Sequence, residues 1–162
     1  MKSIIKFSYV CLMAIFLFTF TACKEDSDTT KPVINLIEPE NGDILQIGDA
    51  EGVHFDVEFS DNEMLASYKV DIHPNFDNHS HATTKSEDTT VDFRFEKTWT
   101  TISGKKNDYV HHHEIKIPEN ATPGHYHLML YCTDAAGNES YVARDVELSH
   151  EAGEDHDHDH DD

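Results

Sequence analysis

The sequence predicts an all-β protein, a single immunoglobulin-like antiparallel β-sandwich of about seven strands, with a disordered N-terminal linker and a disordered C-terminal tail of histidine and aspartate. Three observations lead there. From Pro32 onward, apolar and polar residues alternate with a period of two, as half-buried strands require. No segment carries a convincing helical period. Turn-forming clusters, "ENGD", "SDNE", "ATPG" and "DAAGN", interrupt the alternation at intervals that suit short strands.

The N-terminus is a separate matter. Residues 1–22 combine Lys2 and Lys6 with a long apolar run and a small-residue exit at Ala22, which is a secretory signal and not a membrane span. The closing "FTAC" resembles a bacterial lipobox, so Cys23 is the expected lipidation site. Acyl chains hold by burying methylenes at about 0.8 kcal/mol each, and several together make attachment durable. Residues 23–31 then form the lipidated cysteine and a flexible acidic linker. The "KEDSD" stretch is similar to acidic export signals of surface lipoproteins. The expected location is the outer membrane of a Gram-negative bacterium, with exposure on the cell surface if that signal operates.

About 140 residues follow the leader, enough for one domain spanning 32–149 and a tail at 150–162. Cys11 leaves with the leader and Cys23 takes lipid, so Cys132 alone can enter the fold and no intrachain disulfide forms. The formal charge is -20, and it becomes -22 once Lys2 and Lys6 are removed. Such a surface excludes nucleic acid as a partner and attracts cations.

The strands are expected at 33–38, 53–60, 65–73, 90–102, 109–117, 125–133 and 141–148. In the second, Val53, Phe55, Val57 and Phe59 share the inward face; in the third, Tyr68, Val70 and Ile72 do. The fourth places Val91, Phe93 and Phe95 inward, and "SGKKND" reads as the tip of a hairpin returning through "YVHHHEIKIP". The sixth buries Tyr126, Leu128, Leu130 and Cys132. The seventh buries Val142, Val146 and Leu148, with the stem of Arg144 among them. In "TDAAGNES", Asp134 and Asn138 are expected to bond the turn backbone, with Gly137 at positive φ.

Thirteen histidines stand in this chain, and immunoglobulin-like strand order assigns each to one end of the sandwich. His54, His73, His79, His81, His125 and His127 map to one pole. The third and sixth strands are antiparallel neighbours, so His73 should lie near His125 and His127. The last strand also finishes there and releases the tail. Neutral imidazole is a borderline ligand that suits zinc, copper and nickel. The expected metal site is therefore His73, His79, His81, His125 and His127, near Asp71 or Asp77, with His156, His158 and His160 as a weakly chelating funnel. Zinc is the expected cofactor and copper the alternative, kept open by Met129 beside His127. The run His111, His112 and His113 is placed at the opposite end; in strand phase His111 and His113 share the face of Ile115 and Ile117, which puts one or both at a barrel-like rim or at a bulge. That exclusion depends on the strand order.

The expected function is capture, buffering or transfer of a divalent transition metal by a membrane-anchored lipoprotein, with an outer-membrane transporter as the receiving partner. The alternative is a surface protein- or glycan-binding module without a metal role, docking through its sheet faces or loops; Trp99 and Phe76 could serve as anchors but read first as rim packing. No Gly-rich phosphate loop, HExxH helix or nucleophile elbow is present, so no enzyme is expected.

The strings "DIHPNFDNHSH" and "IPENATPGHYHLMLYCTDAAGN" resemble an uncharacterised family of bacterial lipoproteins with an immunoglobulin-like domain, domain of unknown function 4625. The resemblance covers roughly residues 32–148 and implies the fold. It also implies histidines in the same two strings, here His73, His79, His81 and His127. The tail lies outside it.

Overall fold

The computed structural model describes residues 27–75 and 90–151. The leader, Cys23, Phe76, Asp77, His79, His81 and the tail histidines His156, His158 and His160 lie outside the described residues. Those described form eight strands: β1 (Val33–Glu38), β2 (Ile44–Gln46), β3 (Val53–Ser60), β4 (Leu65–Pro74), β5 (Phe95–Trp99), β6 (Asn107–Ile115), β7 (Gly124–Asp134) and β8 (Glu139–Ser149).

They make a sandwich of two sheets, one ordered β1-β3-β6 and the other β2-β8-β7-β4-β5. Every pairing is antiparallel except β2 with β8. Alternation does the sorting: Val53, Phe55, Val57 and Phe59 of β3 face Tyr68, Val70 and Ile72 of β4 and Tyr126, Leu128, Leu130 and Cys132 of β7 across one buried core. Outward residues of those strands remain exposed or half-buried. At the start of β7 the Tyr126 hydroxyl donates to the Thr122 carbonyl at 2.8 Å, the tyrosine corner of immunoglobulin-like sandwiches. Arg144, half-buried on β8, donates to the Leu36 carbonyl at 3.1 Å and so links β8 to β1 of the other sheet.

Three expectations change. The fourth strand is only Phe95–Trp99, and Val91 is exposed, held in an isolated bridge to Ala121. The return through "SGKKND" is not a hairpin, because β5 pairs with β4 while β6 pairs with β3 in the other sheet. The reason is Ile102: it is fully buried, so the connection dives over the core and changes sheets there. Finally, β2 has no alternating signature, because three residues are too few to show one. It is set by docking beside β8, with Leu45 and Ile47 buried.

The last turn is as expected. Asp134 is buried, its carboxylate accepts from the Asn138 backbone and side-chain amides at 2.7 Å each, and Gly137 has φ of 92°. The same end receives the linker, for the Asp28 carbonyl accepts from Asn138 Nδ2 and its carboxylate from Asn62 Nδ2. Among the described residues Asp28, Asp61 and Asp134 bring carboxylate oxygens within 4.8 Å of one another there.

Candidate metal centres

The expected pole exists in part. The end of β4 lies beside the start of β7, and His73 is the direct cross-strand partner of His127. Their ring centroids are 5.6 Å apart, edge to face. Each ring has a carboxylate at one nitrogen: Asp71 Oδ1 is 2.6 Å from His73 Nδ1, and Asp145 Oδ1 is 3.1 Å from His127 Nε2. These contacts follow from strand geometry, since Asp71 is two residues from His73 on one face and Asp145 is the β8 partner of His127. His125 lies two residues from His127 on the same outward face, exposed, opposite Glu147. Its carbonyl accepts from the Asn75 amide at 2.9 Å. His150, exposed, follows β8 directly. The other expected ligands, His79, His81, His156, His158 and His160, are outside the described residues.

A second histidine group, which strand counting had divided between the two poles, is brought together on β3 and β6. One ring nitrogen from each of His54, His111 and His113 lies within 4.8 Å of the other two. The centroids form a near-equilateral triangle: 5.0 Å from His54 to His111, 5.0 Å from His54 to His113, and 5.2 Å from His111 to His113. Asp56 lies beneath two of them. Its Oδ2 is 2.8 Å from His54 Nε2, and its Oδ1 is 2.7 Å from His111 Nδ1 and accepts from the Tyr109 hydroxyl at 2.9 Å. Partial burial alone would push the Asp56 carboxyl up, but the hydrogen bonds from His111, Tyr109 and His54 together outweigh it and hold the group below its ordinary value.

The placement of His111 and His113 corrects the sequence expectation in two ways. The strand begins at Asn107, so the triplet lies in its second half, beside the start of β3 and therefore at the same end as His73. The phase is also reversed. Val53 pairs with Ile115 and Phe55 with His112, so His54 alone faces both His113 and Glu114. That extra residue is a β-bulge, and it lets Ile115 point into the core while His111 and His113 point out. Counting by twos from Ile115 cannot see it. His112 turns inward instead, stacked on Phe55 at 4.8 Å and Trp99 at 5.0 Å. Its Nε2 is buried without a hydrogen-bond partner, and burial pulls its pKa down.

His54 likewise shares an end with His73 but not a face. It projects from the outer side of the three-stranded sheet, whereas His73 and His127 project from the outer side of the five-stranded sheet, with the core between. The one signal in the sequence that could have joined His54 to the triplet is Gly52. Its φ is 87°, and an added Cβ would lie 2.7 Å from the His113 carbonyl oxygen and 2.8 Å from that of Ile115. The bulged strand passes so close that only glycine fits.

No curated protein matches the chain in sequence. Among solved structures, wild-type OgpA from Akkermansia muciniphila is similar with a TM-score of 0.39 at 12% identity, over 74% of this chain and 30% of that one. Catalytically inactive OgpA from the same organism, in complex with the O-glycopeptide substrate glycodrosocin, gives 0.38 at 15% identity over 80% and 32%. The chain thus spans about a third of OgpA, and scores this low carry no inference about its chemistry. Residues 21–149 match the family model described as domain of unknown function DUF4625.

Proposed function

Given that the chain belongs to the DUF4625 family, whose description carries no activity, we propose that it is a membrane-anchored lipoprotein that binds a divalent transition metal. Zinc is the favoured ion and copper the alternative, for capture, buffering or transfer to an outer-membrane transporter. The observation that supports this reading is the cross-strand pair His73 and His127. A carboxylate only accepts, so a ring nitrogen facing Asp71 or Asp145 carries a hydrogen, and the other nitrogen of each ring is the one a metal would take.

The position of the pair favours recruitment of further ligands. The chain departs toward His79 and His81 just after Asn75, which is bonded to His125, and toward the tail just after Ser149, beyond the pairing of Leu148 with Gly124. In this proposal His79, His81 and His125 add to the pair. The tail histidines His156, His158 and His160, in a segment too hydrophilic to bury, exchange metal quickly. At the other end β1 begins at Val33, opposite Ser60, and Asp28 is fastened near Asn62 and Asn138. A lipid on Cys23 would hold that end toward the membrane and present the histidine pole outward. The role is binding, not catalysis.

Calorimetric titration of the full-length chain in detergent with zinc tests the proposal. Expected is binding tighter than about 10 μM, weakened at least tenfold when His73 and His127 are both changed to alanine, and with fewer ions bound when 152–162 are deleted. Absence of binding at that level would favour a second reading, docking to protein or glycan. That reading draws on Tyr141, 65% exposed, beside Tyr131 with the Lys69 ammonium 4.6 Å from the Tyr131 ring, on the outer face of the five-stranded sheet.

A further inference from the structure

We infer that the outer face of the three-stranded sheet holds a separate, preorganised site for a divalent transition metal, with His54, His111 and His113 as ligands, Asp56 and the Gly52 carbonyl setting their tautomers, and one coordination position open to solvent. The site is independent of the His73–His127 pair and would stand even if that pair were solvated.

Each of the three rings already meets an oxygen at one nitrogen. Asp56 contacts His54 at Nε2 and His111 at Nδ1, and the Gly52 carbonyl oxygen lies 3.4 Å from His113 Nδ1. All three oxygens, two from the Asp56 carboxylate and one from the Gly52 carbonyl, can only accept. A neutral ring that meets an acceptor at one nitrogen carries its hydrogen there and its lone pair on the other. His54 therefore offers Nδ1, while His111 and His113 offer Nε2. Three imidazoles with fixed tautomers on a rigid strand pair are what a nitrogen-liganded ion selects, because little order remains to be imposed on binding.

The size is right after a small closure. Zinc–nitrogen bonds of about 2.0–2.1 Å put tetrahedral ligands roughly 3.3 Å apart, and one nitrogen of each ring here lies within 4.8 Å of one nitrogen of each of the other two. With ring centroids 5.0–5.2 Å apart, closing on an ion is a matter of side-chain rotation in the proposed site. The fourth position faces water, since the side chains of His54 and His111 are 55% and 48% exposed. Three protein ligands and an open place distinguish this site from a closed structural one and permit a second ligand to take the ion away. The nitrogen donor set selects zinc, copper(II) or nickel(II) over calcium or magnesium.

Zinc titration of the full-length, detergent-solubilised chain, followed through histidine ring nitrogens by long-range nitrogen–proton NMR, reads the site directly. Expected is that His54, His111 and His113 shift together, in one saturable step with a defined one-ion end point. In His111→Ala the shifts of His54 and His113 on zinc should be lost, whereas in His73→Ala with His127→Ala they should be retained. Asp56→Asn should keep all three ligands yet weaken zinc by about 10–100-fold. The inference is overturned if the three rings respond independently, if they shift only in proportion to exposed His150, or if Asp56→Asn leaves affinity unchanged in a folded protein. Loss of response in the His73 and His127 variant alone would count against this site's independence, whereas an unchanged response there with no uptake at the pole would count only against the proposed function.

Discussion

At the scale of single residues, a buried thiol and a half-buried imidazole sharpen what alternation alone implies. Cys132 is fully buried in β7, and burial, with Asp61 and Asp134 adding to it, pushes its thiol up to about 12. The thiolate is the reactive form, so a thiol reagent at pH 8 should leave the native protein unlabelled and modify Cys132 only in denaturant; rapid native labelling would contradict the burial. The folded pKa of His112 is depressed by burial, with Lys97 adding to that and Glu114 opposing it. Above about pH 6.5 neither the folded nor the unfolded ring is protonated. As pH falls through that value the unfolded chain takes up a proton that the folded state resists, so stability declines with acidification. Replacing His112 with phenylalanine removes the unpartnered Nε2 but also the Nδ1 that accepts from the Glu114 amide at 3.3 Å, so it should stabilise by about 1 kcal/mol net. It should also flatten the decline between pH 7.5 and 5.5, measured by urea unfolding with chelator present; parallel pH profiles for the two proteins would exclude this role.

At the scale of elements, the bulge between β3 and β6 does most to shape the chemistry. It inverts the phase of the histidine triplet, and it rests on Gly52, where positive φ and close passage of the His113 and Ile115 carbonyls exclude a side chain. Gly52→Ala should therefore cost about 1–3 kcal/mol in denaturant unfolding and should also weaken zinc uptake at His54, His111 and His113. Unaltered stability would mean that the strand pair tolerates a different crossing. Alternation did identify β3, β4, β7 and β8, whose buried faces are those the sequence indicates. It located β5 and β6 but misjudged their extent, pairing and phase, because Ile102 draws the connection across the core and the bulge shifts the count.

For the whole molecule, charge is the dominant feature: 32 acidic residues against 12 basic ones leave a formal charge of -20. Repulsion among like charges opposes the compact state and is screened by salt over about 10 Å at 0.1 M. The thermal midpoint should therefore rise as sodium chloride goes from 10 to roughly 300 mM; a midpoint that does not move would mean that the acids are locally compensated. The excess also raises the local concentration of cations around both histidine groups. These lie at the same end of the sandwich, opposite the end that holds Asp28.

The sequence by itself determined the sandwich, its principal core residues, the Asp134–Asn138 turn and the meeting of His73 with His127, because each depends on local periodicity or on one antiparallel pairing. Only the tertiary structure decided which sheet receives each strand and which way the histidine triplet faces. Sheet assignment is fixed by competition among core contacts distant in sequence, and a bulge changes every side chain's direction through one inserted residue that has no compositional mark of its own.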